Sequence, residues 1–155
     1  MPRAYAPVAV VLLLAVTVLA AGAVALALPS LPGEPPPQRG LGVDATADGR
    51  VTITLVSGSP LDVAHADLRL SVDGSPLRYQ PPVPYFAARG FYGTPTGPFN
   101  RAGSDEWRVG ESGTLRVAST NAPRPSAGDT LTVRVVVDGH TVATAETTVE
   151  RTATD

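Results

Sequence analysis

Hydrophobic and polar positions divide the chain into two regimes. From Tyr5 to Leu28 no residue is charged and Thr17 is the only clearly polar one. Such a run predicts a helix. At about 1.5 Å per residue it would reach roughly 36 Å, enough for a hydrocarbon core of about 30 Å. Pro7 falls in the first turn, where a missing N–H has no partner to lose, and Pro29 marks the far end. From Leu41 onward the period becomes two. Val51, Ile53 and Leu55 alternate with Thr52 and Thr54; Leu68, Leu70 and Val72 follow the same rule, as do Leu115 and Val117, and Leu131, Val133, Val135 and Val137. Alternation with β-branched residues predicts half-buried antiparallel strands. Asp-Gly stands at 48–49, 73–74 and 138–139, each time between alternating runs, which is a hairpin signal. Seven or eight short strands are expected, with no helix among them. The predicted fold is all-β, an immunoglobulin-like antiparallel β-sandwich preceded by one N-terminal transmembrane or pilin-type α-helix.

Between the two regimes lies PSLPGEPPPQRGLG, whose prolines favour an extended polyproline stem. The organisation is therefore read as residues 1–4 leader, 5–28 helix, 29–42 stem, 43–150 β-sandwich and 151–155 a disordered tail. One segment breaks the alternation. YQPPVPYFAARGFYGTPTGPFNRAGSDEW, residues 79–107, holds every aromatic of the chain except Tyr5. It is long for a connection inside a compact domain, and long connections often carry function. Tyr85, Phe86, Phe91 and Tyr92 are open to two readings, an interface loop or a plug over one end of the sandwich. Trp107 opens a strand and is expected in the core.

Charge and composition narrow the function. The net charge is −2, and Arg3 is the only charged side chain before Glu34. Positive-inside bias then places the N-terminus in the cytoplasm and the remainder outside the cell membrane. No basic face for nucleic acid is evident. There is no cysteine, hence no disulfide and no thiolate metal site. Lysine is absent and isoleucine occurs once, a sign of GC-rich coding. His65 lies near Asp62 and Asp67, and His140 follows the 138–139 turn; solvated turn residues are the favoured reading over a metal site. No nucleophile elbow, phosphate-binding glycine loop or N-x-Ser/Thr sequon occurs. The chain is read as non-enzymatic, with no cofactor. In the second half of the helix Ala21, Gly22 and Ala25 form a small-residue face that would let another helix approach closely.

The N-terminus also resembles a known family. Arg3-Ala4, then Tyr5, then proline third after the cut, then the apolar run YAPVAVVLLLAVTVLAA, resembles the class III signal of archaeal type IV pilins, those of salt-loving archaea in particular. LDVAHADLRLSVDG, EWRVGESGTLRV and GDTLTVRVVVDGHTVATAETTV follow in an order similar to the C-terminal domain of their pilin-like proteins. The resemblance implies that a prepilin peptidase removes MPRA at Arg3-Ala4-Tyr5. The helix then stays on the protein and assembles with other pilin subunits, as a homo- or heteropolymer, into a surface filament. The sequence departs from the family in two places: Val10 replaces a glycine, and Ala9 stands where bacterial pilins carry an acid. Two rivals remain open. The helix could stay in the membrane uncleaved, or Ala25-Leu26-Ala27 could be cut by signal peptidase. Either would make the protein an anchored or secreted binding module using loop 79–107.

Overall fold

The alternating runs fold as strands. A computed structural model describes residues 37–153. Its strands are β1 (Gly40–Ala45), β2 (Arg50–Ser57), β3 (Leu61–Asp62), β4 (Ala66–Val72), β5 (Ser75–Pro76), β6 (Glu106–Trp107), β7 (Ser112–Arg116), β8 (Thr130–Val137) and β9 (His140–Thr148). They form a three-stranded sheet, β1-β2-β7, a four-stranded sheet, β5-β4-β8-β9, and the small pair β3-β6. All strand pairings within these sheets are antiparallel. The all-β architecture expected from the periodicity is present. The leader at 1–4, the helix at 5–28 and the stem as far as residue 36 lie outside the described residues. Among the described residues no helix is long and apolar enough to cross a membrane. β1 begins at Gly40, within the segment read as stem.

Period-two burial explains the arrangement. Val51, Ile53 and Leu55 of β2 have no exposed surface, and Leu131, Val133 and Val135 of β8 are at most 1% exposed. Leu68, Leu70 and Val72 of β4 join them in a β-sandwich-like arrangement around one core. Each such side chain stabilises the fold by about 1.5–3 kcal/mol. All three Asp-Gly sites form the expected hairpins. At 73–74 and 138–139 both residues have positive φ, the geometry that matches strand twist.

Three of the four edges of the two larger sheets are covered. β1 and β9 run side by side in parallel. Arg39 N–H donates to Val142 O, Glu150 N–H to Ala45 O and Ala47 N–H to Glu150 O, each at 2.8 Å. β9 carries a bulge against β8, where the pairing passes from Val135–Ala143 to Val136–Thr141. Val142 is the extra residue, so Val142 and Ala143 are buried in succession although they adjoin in sequence. The opposite edge, β7, is covered by the aromatic segment. Tyr92 N–H donates to Arg116 O (2.8 Å), Thr96 N–H to Thr114 O (2.9 Å) and Ala118 N–H to Gly90 O (2.9 Å).

Candidate functional site

The edge-covering segment sorts its aromatics by side. Tyr85 and Phe91 are buried, with ring centroids 6.0 Å apart. Phe99 and Trp107 are buried in a T-shaped pair at 5.1 Å. Trp107 Nε1–H donates to Glu111 O at 2.8 Å. Phe99 lies against the backbone of Gly113, where any Cβ would collide with the ring. Phe86 and Tyr92, by contrast, are 52% and 71% exposed. The four residues read as an open choice between plug and interface thus divide: Tyr85 and Phe91 lie in the core, Phe86 and Tyr92 at the surface. The processing residues Arg3, Ala4 and Tyr5 and the packing residues Ala21, Gly22 and Ala25 lie outside the described residues.

Tyr92 borders a hollow of about 280 Å³ lined by Asp48, Tyr92, Arg116, Ala118, Ser119 and Arg124. Its lining comes from four places: the β1–β2 turn, the aromatic segment, the end of β7 and the loop that follows. The Arg116 guanidinium lies 5.5 Å from the Tyr92 ring centroid. The same guanidinium donates through Nε to Asp48 O (3.1 Å) and approaches Asp48 Oδ2 at 3.4 Å. Thr46 Oγ1 donates to Asp48 Oδ1. That hydrogen bond outweighs the opposing effect of burial and, with the Arg50 N–H and the charges of Arg116 and Arg50, holds the Asp48 carboxyl below the usual carboxylate range. Asp48 is therefore an anion at neutral pH. Arg124 makes no hydrogen bond or ion pair among the described residues.

The chain leading to Phe91 and Tyr92 is held by a residue that sequence reading passed over. Asn121 is 3% exposed, the one fully buried polar side chain among the described residues. Its Nδ2 donates to Tyr79 O (2.9 Å) and Gly90 O (3.2 Å), and its Oδ1 accepts from the N–H groups of Tyr79 (3.1 Å) and Ala122 (3.0 Å). Nearby, Tyr79 is flanked by Arg78 at 5.4 Å and Arg89 at 4.6 Å from its ring. A buried Asn that satisfies its donors and acceptors fixes three stretches of chain together. Only an inventory of buried polar groups finds it.

The histidines lie elsewhere. His65 Nδ1 is 2.8 Å from Asp62 Oδ2, an exposed pair that lowers the Asp62 pKa. His140 is exposed at the start of β9. Among the described residues no three His, Cys, Asp or Glu side chains converge as metal ligands would.

Burial pushes the Tyr85 phenol up to about 12. The unfolded chain would lose that proton near pH 10. Between roughly pH 10 and 12 the unfolded state therefore binds fewer protons than the folded state, and stability falls as pH rises. The chain has no lysine or cysteine to obscure this window. Tyr85→Phe is expected to flatten the loss. Denaturation midpoints at pH 9 and 11.5, compared between the variant and the wild type, check it; identical slopes would refute it.

Against known proteins, the sequence matches no protein-family model and no curated relative.

Proposed function

We propose that the chain is a type IV pilin-like structural subunit of an archaeal cell-surface filament. The observation that carries this reading is the N-terminal pattern: Arg3-Ala4, proline third after the cut, and no charge from Tyr5 to Leu28. In this reading a prepilin peptidase cuts between Ala4 and Tyr5. The helix is held in the cell membrane with its N-terminus cytoplasmic, then moves into a filament core. There Ala21, Gly22 and Ala25 allow close packing between subunits. The strand order β1-β2-β7 against β5-β4-β8-β9 supports an immunoglobulin-like assignment for the outer domain. Such a domain, with its core contained between Ala45 and Val149, needs no disulfide to stand outside the cell.

N-terminal sequencing of the mature protein tests the proposal. The expected first residue is Tyr5, and replacing Arg3 and Ala4 with Glu should leave the leader in place. A mature chain starting at Met1 or Leu28 would sink the pilin reading. The second reading, an anchored or secreted module, draws on one observation: Phe86 and Tyr92 stay at the surface while their neighbours Tyr85 and Phe91 are buried. It would gain from either of those starting residues.

A further inference from the structure

Tyr92 does little for the fold. It is 71% exposed, and the edge hydrogen bond it makes to Arg116 O uses only its backbone N–H. Its neighbour Phe91, 8% exposed, supplies the anchoring to the core. Yet the ring is not left to wander. Arg116 lies against it and is itself held by Asp48. A ring and a guanidinium that are fixed before a ligand arrives lose little freedom on binding.

We propose that the hollow around Tyr92 binds an acidic sugar, a pyranose bearing one carboxylate, of uronic-acid type. The chemistry follows residue by residue. A pyranose presents a face of C–H bonds, and the negative face of an aromatic ring attracts those polarised hydrogens. Arg124 has its donors free among the described residues and can take a carboxylate in two parallel hydrogen bonds. Asp48 can only accept, so it suits sugar hydroxyls, and Ser119 can do both. The hollow, about 280 Å³, is at the small end of ligand sites.

The mixed charges decide between ligand classes. Two guanidinium groups face one carboxylate, leaving one positive charge for one ligand carboxylate. A polymer of carboxylates or phosphates with no hydroxyls would meet Asp48 as a repelling group. A neutral sugar would leave Arg124 unanswered. The site does not depend on whether the chain polymerises or stays anchored, so this proposal stands or falls apart from the pilin reading.

Retention of the full-length protein, in detergent, on immobilised polygalacturonate tests it. Immobilised dextran serves as neutral sugar and polyglutamate as acidic non-sugar. The expected result is retention on polygalacturonate and on neither of the others. Tyr92→Ala and Arg124→Gln should each weaken it by about tenfold or more. Val109→Ala, at an exposed apolar residue outside both the hollow and loop 79–107, should leave it unchanged. Tyr92→Ala should keep the wild-type Tm, which separates lost binding from lost folding. Equal retention on polyglutamate or dextran, no retention on polygalacturonate, or an undiminished Tyr92→Ala variant would overturn the proposal.

Discussion

Trp107→Ala is expected to destabilise the β domain by about 4 kcal/mol, the largest loss foreseen for any single side chain here. Trp107 is 1% exposed and pairs with Leu61 across β3 and β6. Its indole stacks edge-on against Phe99, and its N–H donates to Glu111 O. Deleting it opens a large cavity. It also leaves the Glu111 carbonyl without its indole donor and loosens Phe99, whose ring occupies the space that a side chain at Gly113 would need. The surroundings cannot collapse easily, because β2 and β7 on one side are fully paired over Arg50–Thr54. Trp107→Phe should recover most of the loss. What remains should be about 1 kcal/mol for the lost hydrogen bond plus a modest packing term. Denaturant midpoints followed by the far-ultraviolet β signal check both variants, since Trp107 is the only tryptophan. A Trp107→Ala midpoint close to the wild type would refute this account of the core.

How much of this was legible in the sequence differs sharply by element. β2, β4 and β8 were readable because alternation is a local property: a strand with one wet and one dry face must write it into consecutive residues. The Asp-Gly turns at 73–74 and 138–139 were readable for the same reason, since positive φ at two successive positions admits few residue types. β9 was harder. Its bulge at Val142 puts two successive residues into the core, and that breaks the alternation at the point where the strand meets Arg39. The aromatic segment was recognisable as unusual, but not which residue faced which way. Tyr85 and Phe86 adjoin in sequence, as do Phe91 and Tyr92, and only long-range pairing decides which one of each pair is inside: Tyr85 pairs with Phe99 and Arg101, and Tyr92 with Arg116 at the end of β7. The Tyr92 hollow was out of reach for a similar reason. Asp48 meets Arg116 because Arg50 pairs with Arg116 across β2 and β7, Arg124 arrives from the loop after β7, and no local pattern announces that meeting. The N-terminal segment shows the reverse case, since its pattern is explicit in the sequence and lies outside the described residues.

Asn121→Ala is expected to lower stability by about 3 kcal/mol, a large effect for a short polar side chain. The reason is long-range and accountable group by group. Asn121 reaches Tyr79 across 42 positions of sequence and Gly90 across 31. Alanine would leave the Tyr79 N–H and C=O without the partner that now satisfies both, and would remove one donor from Gly90 O. Unpartnered groups in a buried setting lose their full hydration without compensation, so the loss exceeds the net worth of the hydrogen bonds themselves. Asn121→Asp separates this from a packing effect because the shape is nearly kept. Its carboxylate could still accept from the Tyr79 and Ala122 N–H groups, but an oxygen would now face the Tyr79 and Gly90 carbonyls where a donor is required. Repulsion and burial both favour the protonated acid there, which can donate again. The Asp variant should therefore be markedly destabilised at pH 7 and regain stability as the pH is lowered towards 4, before general acid unfolding sets in. The wild type should gain nothing over the same range. Thermal midpoints of the three proteins at pH 7 and pH 4.5 measure it. Equal midpoints for Asn121→Ala and wild type would show that Asn121 does not hold the loop. A Tm for Asn121→Asp that falls with pH as steeply as the wild type would show that its side chain does not face the two carbonyls. Because the same asparagine holds the stretch just before Phe91 and Tyr92, Asn121→Ala should also weaken whatever the Tyr92 hollow binds, without touching any of its lining side chains.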